Sequence, residues 1–428
     1  MRKRLSSVLL GTFSVLALAS TFAFFARTSS AEKPRTEARA ATPRPAAAAR
    51  PTARERFHGF DPRVQELHDD VLRSPLGDGA HAELTLDPRL QDFLSRLLAR
   101  YDVPRGAVVA LEPSTGRVLA WADHVSESEG FGEGDVALDA SPPSASVFKL
   151  VTSAALLDAG VSPDERVCYH GGASGLELEN ILDDPRRDTR CVSFTYALGH
   201  STNAVLAKLA DQHLDRATLR RYATAFAFGQ GLPFELSTPS SEMDVPAGRL
   251  ERARASAGFW HMHMSPLHGA LIAATIANDG RMPRAAIVDR VVGADSDVSY
   301  RYEPATYRAV IPRRTARTLA EMMETTTTTG TARHYFRDDA GHEFLPGIRV
   351  AGKTGTLSSE RPYRGYTWFV GFAPADAPTI AVAALIVNTP EWRIKAAYAA
   401  REALRYYLVE EPHRRALEAA TPATPTNP

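Results

Sequence analysis

The sequence predicts an α+β domain: an antiparallel β-sheet flanked by helices on both faces, with a mostly helical subdomain in the middle of the chain. Three observations carry this. A hairpin pattern stands early, at 106–123. Helical patterns fill the middle, from Ser146 to His213. Three strand patterns, at 348–356, 366–372 and 379–387, come late and are followed by a helix at 395–408.

The N-terminus stands apart from that domain. Arg2, Lys3 and Arg4 precede an uncharged, largely apolar run of 22 residues, Leu5 to Ala26. As a helix it would span about 33 Å, enough to cross a bilayer. A cleaved signal usually has a shorter apolar region, so the length favours an uncleaved single-pass anchor over cleavage at Ser29-Ser30-Ala31 and secretion. The leading positive charges predict an inside N-terminus and a body outside. Residues 1–31 are thus membrane anchor or signal. Residues 32–56, rich in Ala, Pro, Arg and Thr, read as a disordered linker. Residues 57–82 form a short lead-in, 83–412 the main domain, and 413–428 a disordered tail. The apolar content of 44% suits a globular core, and a formal net charge of zero argues for no nucleic-acid partner.

The elements follow in order. Asp87 to Ala99 is helical in pattern. Gly106 to Pro113, a turn at Ser114-Thr115-Gly116, and Arg117 to Asp123 make the hairpin. Ser141-Pro142-Pro143-Ser144 blocks regular structure. A helix then runs from Ser146 to Asp158, and Gly160 ends it. Ser201 or Thr202 is placed to cap a helix over 204–213. The five threonines Thr325–Thr329 suggest strand or loop. Cys168 and Cys191 form a candidate disulfide in an exported domain, closing a loop worth roughly 3–3.5 kcal/mol in the chain-entropy model.

Three short motifs carry the chemistry: Ser146-Val147-Phe148-Lys149, Ser201-Thr202-Asn203 and Lys353-Thr354-Gly355. They read S-x-x-K, S-x-N and K-T-G, in the order of a serine acyl-transfer set. Each is weak alone; S-x-x-K recurs at Ser30–Lys33. Composition strengthens them. Of 50 basic residues only six are lysines, and two of those six lie in the motifs. Arginine stays charged, whereas a buried lysine can lose its proton and act as a base. Helical spacing puts Lys149 on the face of Ser146, and a helix N-terminus favours an oxyanion there.

Two rival patterns overlap this set. Residues 347–354 match the phosphate-loop pattern G-x-x-x-x-G-K-T. Pro346 before the first glycine and the lack of a helix after Lys353 argue against a nucleotide site. His261, His263 and the nearby His268 suggest a metal site, but no neighbouring Cys or carboxylate completes it in sequence.

The chain, from about Glu83 to Leu408, resembles the transpeptidase domain of penicillin-binding proteins. Beyond the motifs, Leu84 to Gln91, Gly106 to Ala122, Ser265-Pro266-Leu267, Ile276 to Gly280, Gly330-Thr331-Ala332 and Trp368 to Pro374 are similar to that family. The segment from Gly258 to Met264 is not. The large N-terminal pedestal usual in the family is missing. The resemblance implies a peptidoglycan D,D-transpeptidase of the cell wall, without metal or cofactor, inhibited by β-lactams. It implies that Lys149, neutral through burial and the charge of Lys353, takes the proton of Ser146, which attacks the bond between the last two D-alanines of a stem peptide. Backbone N–H groups of Ser146 and Thr356 would form the oxyanion hole. Ser201 would pass a proton to the leaving amine, and Asn203 would orient the substrate amide. Thr354, Gly355 and Thr356 would meet the terminal carboxylate, with Lys353 supplying charge. Other cell-wall synthesis proteins are the implied partners. D,D-carboxypeptidase, β-lactamase, and a β-lactam-binding sensor or scaffold without turnover are the alternatives; a class A β-lactamase would carry S-D-N where this chain has Ser201-Thr202-Asn203.

Overall fold

The computed structural model describes residues 57–420, apart from 128–130, 132–133 and 174. The membrane-anchor reading of 1–31, the linker reading of 32–56 and the last eight residues of the tail lie outside the described residues. Among the described residues no helix is long and apolar enough to cross a membrane.

The central sheet has five antiparallel strands in the order Ala351–Glu360, Tyr363–Ala373, Ile380–Asn388, Arg105–Leu111, Val118–Val125. The early hairpin thus completes a sheet whose other three strands come from the end of the chain. Ile380–Asn388 is buried along its whole length, which explains its continuous apolar run. Its alternate residues serve two cores. Ala381, Ala383, Leu385 and Val387 face the core that holds the helix Pro266–Ala277. Ile380, Val382, Ala384 and Ile386 face the helices Pro88–Arg100 and Ala396–Arg405. The helix Pro266–Ala277 is apolar all round because it is buried all round, from Pro266 to Ile276. The Ser265 side chain caps it by accepting from the His268 N–H.

The helical subdomain includes Phe194–Gly199, Asn203–His213, Arg216–Ala225 and Arg249–Ser256. Leu206, Leu209, Leu219 and Phe226 from it join Leu150, Val151 and Ala154 in one core.

Several readings change. Residues 57–82 are more than a lead-in: Glu66–His68, Val71–Pro75 and His81–Leu84 form a second five-stranded sheet with Val288–Val292 and Val298–Arg301. Residues 413–420, assigned to the tail, belong to a helix, Glu411–Ala420. Thr325–Thr328 end the helix Arg313–Thr328 instead of forming strand or loop. The Thr327 hydroxyl donates to Val350 O at 2.7 Å, and the Thr328 hydroxyl returns to Glu324 O at 3.0 Å. Buried packing and these local bonds outweigh the modest helix propensity of threonine. The strand carrying Lys353 starts at Ala351, not 348, and continues to Glu360. A phosphate loop needs a helix there, so that pattern is coincidental. Thr202 holds the cap position of Asn203–His213, but its side chain makes no capping bond.

His261 and His268 are partnered. His261 Nδ1 lies 3.3 Å from Asp244 and its Nε2 3.1 Å from Glu251, carboxylates too distant in sequence to be seen as neighbours. His268 is buried between the Ser241 hydroxyl at 2.7 Å and Phe226 O at 2.6 Å. Among the described residues no group of three or more His, Cys, Asp or Glu side chains is arranged to hold a metal.

Candidate active site

Ser146 sits in a single tight turn, Ala145–Phe148, that feeds the helix Lys149–Asp158. The chain arrives under restraint. Pro143 O accepts from the buried Trp368 indole at 2.8 Å, and the Ser144 N–H donates to Met262 O at 2.8 Å. Ala145 is held at a positive φ of 48°. Non-glycine residues rarely adopt that conformation, and such strain clusters at functional sites.

Gly258 lies directly behind this turn. Its φ is +86°, and a Cβ there would stand 2.2 Å from Ala145 O. Only glycine supplies both the dihedral and the space.

Lys149 is fully buried, and its Nζ has three neighbours: Ser146 Oγ at 2.6 Å, Asn203 Oδ1 at 2.7 Å and Ala257 O at 2.7 Å. Asn203 Nδ2 donates to Gly172 O at 3.2 Å and Ala173 O at 3.3 Å, which fixes the amide with its oxygen toward the lysine. The two carbonyl oxygens beside Lys149 can only accept, whereas the Ser146 hydroxyl can also donate. A neutral amine, with two hydrogens and one lone pair, satisfies all three. Burial, reinforced by the charge of Lys353, holds Lys149 well below the ordinary lysine range. The geometry admits the neutral amine and burial favours it, with its lone pair toward the serine.

Lys353 is also fully buried, and burial brings its pKa down to about 7. Its Nζ donates to Ser201 Oγ at 3.0 Å and to Thr354 O at 2.8 Å. Ser201 is itself at positive φ, 56°. Thr354 Oγ1 lies 2.6 Å from Thr331 Oγ1, so Gly330-Thr331 comes to the same wall. Among the described residues the strand Ala351–Glu360 is an edge strand, paired with Tyr363–Ala373. Gly355 brings it close to the serine turn: a Cβ there would lie 3.1 Å from Ala145 Cβ.

Two cavities meet at Ser146. One, of about 280 Å³, includes Ser201, Thr354, Gly355 and Thr356 with His334 and Lys395. The other, of about 330 Å³, includes Gly258, Phe259 and Trp260 with Leu357 and Ser358. Asn203, Ala173 and Thr356 line both. Ser146, Ser201, Asn203, Thr354, Gly355 and Thr356 thus line one groove, with the buried Lys149 and Lys353 bonded to Ser146 and Ser201. Cys168 and Cys191 are bonded to each other and stand at the base of the loop that carries Gly172 and Ala173. Sequence reasoning missed the Ala257, Gly172 and Ala173 carbonyls, because a backbone oxygen leaves no mark in residue type. It also missed Trp260, although the Gly258–Met264 segment had stood out as unlike the family.

A serine hydroxyl 2.6 Å from a buried lysine, on a helix packed against an antiparallel sheet, is the arrangement of serine acyl-transferases that use lysine as base. The chain belongs to the penicillin-binding protein transpeptidase family: the profile of the penicillin binding protein transpeptidase domain matches residues 106–405. Peptidoglycan D,D-transpeptidase PbpA of Mycobacterium tuberculosis is 30% identical over 343 residues, covering 72% of this chain and 68% of the relative. Stage V sporulation protein D of Bacillus subtilis is 23% identical over 337 residues, covering 74% of this chain and 51% of that protein. Among solved structures, the ceftriaxone acyl-enzyme complex of penicillin-binding protein A from M. tuberculosis superposes with a TM-score of 0.64 at 26% identity, covering 76% of this chain and 80% of that one. The D,D-transpeptidase domain of a peptidoglycan glycosyltransferase from Eggerthella lenta gives a TM-score of 0.64 at 25% identity, covering 77% and 83%.

Proposed function

We propose that the chain is a peptidoglycan D,D-transpeptidase that cross-links stem peptides through a Ser146 acyl-enzyme and is inhibited by β-lactams. The observation that carries this is Lys149 Nζ 2.6 Å from Ser146 Oγ, with its other two neighbours restricted to accepting. Lys149 takes the Ser146 proton as Oγ bonds to the carbonyl carbon between the last two D-alanines. The N–H groups of Ser146 and Thr356 receive the oxyanion. The C–N bond then breaks, and the proton passes by way of Lys149 and Ser201 to the departing D-alanine amine. Thr354, Thr356 and the Lys353 charge hold that residue's carboxylate, while Asn203 orients the peptide amide. An amine from a second stem peptide loses its proton to the same lysine, attacks the ester and frees Ser146.

Among the described residues neither cavity beside Ser146 is lined by an Asp or Glu. A hydrolytic β-lactamase needs such a base for its water, so a long-lived penicilloyl ester fits this site better. The N-terminal run anchors the domain outside the cell membrane, with residues 32–56 as tether and other cell-wall synthesis proteins as neighbours. The test is intact-protein mass spectrometry with penicillin, followed over hours and mapped to the peptide. One penicilloyl adduct on Ser146 that persists for hours, absent from Ser146→Ala, is expected. Label that survives in the mutant would sink the nucleophile assignment, and clearance within seconds would favour the β-lactamase alternative.

A further inference from the structure

Among the described residues three lysines are fully buried: Lys149, Lys353 and Lys208. Lys208 has no part in the chemistry above. It stands on the helix Asn203–His213, five residues after Asn203. Its Nζ donates to Asp188 Oδ2 at 2.5 Å, Cys168 O at 3.1 Å and Asp183 Oδ1 at 3.2 Å, so all three ammonium hydrogens are used. Asp188 also lies 2.5 Å from His170 Nδ1 and accepts from the Asp184 N–H at 2.9 Å. One buried cation therefore gathers both ends of the loop that the disulfide closes, 168–170 on one side and 183–188 on the other.

Between those ends the loop crosses the active-site groove. Gly172 rests on the start of the same helix, where a Cβ would stand 2.9 Å from Ala204 Cβ. Gly172 O and Ala173 O take both hydrogen bonds of the Asn203 amide nitrogen. If that amide turned over, its NH2 would face Lys149, and the lysine would lose an acceptor beside the serine.

We propose that Lys208 is a positioning residue for acyl transfer. By tying Asp188 and the Cys168 carbonyl to the Asn203 helix, it holds the 168–191 loop over the groove, and the loop's carbonyls then fix Asn203 Oδ1 on Lys149. The proposal rests on the acyl-transfer reading above. It also accounts for a lysine in a chain that otherwise writes arginine: a slender stem with a point charge reaches three acceptors in a closed site, where a planar guanidinium would need more room.

The test is a double-mutant cycle on the full chain, read as the rate of acylation by a fluorescent penicillin. Lys208→Met keeps the stem and removes the charge. It should slow acylation about tenfold in the wild-type background and less than twofold in Asn203→Ala, while lowering Tm equally in both. An equal fold-loss of rate in both backgrounds would show a general structural role and overturn the proposal. So would a wild-type rate in folded Lys208→Met. Should Lys208→Met not fold, Asp188→Asn enters the same cycle. It keeps the shape and weakens the clasp, and the same non-additive pattern is expected with a smaller loss. An additive pattern there overturns the proposal too. Absence of label on the wild type would overturn the acyl-transfer reading itself, a result distinct from any outcome of the cycle.

Discussion

Lys149 and Lys353 show why residue type mattered more than charge at this site. Both are fully buried, and of the two cationic side chains only lysine can lose its proton there. Lys149→Arg should therefore be nearly as damaging as Lys149→Ala, each slowing acylation by about a hundredfold or more, the usual share of general base catalysis. A near wild-type rate for the arginine variant would show that charge alone is needed. Lys353 makes a pH prediction. With its pKa at about 7, its charge fades as pH rises through neutrality. Acylation by carboxylate-bearing penicillins should fall over that range. Stability moves the other way. The unfolded chain holds this proton up to about pH 10.4, the ordinary lysine value. Between about 7 and 10.4 it binds more protons than the folded chain, so this residue's contribution to stability improves as pH rises. Tm compared between wild type and Lys353→Met from pH 6 to 10 should show the difference shifting toward wild type. A flat difference would mean that Lys353 keeps its proton. The five motif residues were legible because the chemistry requires their side-chain types. Lys208 was not, since nothing in its neighbours' sequence marks an ion pair with Asp188 across 20 residues.

At the scale of elements, the serine turn and the segment behind it form one unit. Gly258 is the joint. Replacing it with Ala would force a Cβ onto the Ala145 backbone at a φ that L-residues avoid. Gly258→Ala should cost roughly 2 kcal/mol or more, from αL strain and the clash together. It should also slow acylation, because the displaced groups are Ala145, Ser146 and the Ala257 carbonyl. Thermal unfolding and the acylation rate of one preparation check this, and an unchanged rate would separate the segment from the site. Sequence patterns found the helices and strands that follow local rules, such as Pro88–Arg100, read as 87–99, and the buried strand Ile380–Asn388, read as 379–387. They misread Thr325–Thr329, where local preference and burial disagree and burial prevails. Loops such as 258–264 escaped because their conformation is set by what they pack against.

At the scale of the molecule, the late strands and the early hairpin were legible as one antiparallel sheet, because alternation and turn residues are local signals. The second sheet was not, since its halves lie about 200 residues apart: His81 pairs with Val292 and Glu83 with Arg290. That sheet decides where the domain begins. Phe57, Phe60 and Leu72 are buried in the main core, and the Phe57 ring meets Tyr300 edge-on at 5.3 Å. Glu83, with 5% of its side chain exposed, is held between Arg73 at 3.1 Å and Arg290. Beginning the chain at residue 83 would remove two strands and the first half of a third, these apolar contacts and one partner of a buried carboxylate. Each large apolar side chain returned to water costs about 1.5–3 kcal/mol, against a total stability of roughly 5–15 kcal/mol. A chain starting at residue 57 should therefore fold and acylate like the full-length protein. One starting at residue 83 should unfold at least 10 °C lower or aggregate, the shift expected when several kcal/mol are lost. Circular dichroism melts and penicillin labelling of the two truncations decide it. Equal Tm and equal labelling would mean that the second sheet is an ornament on a domain complete without it.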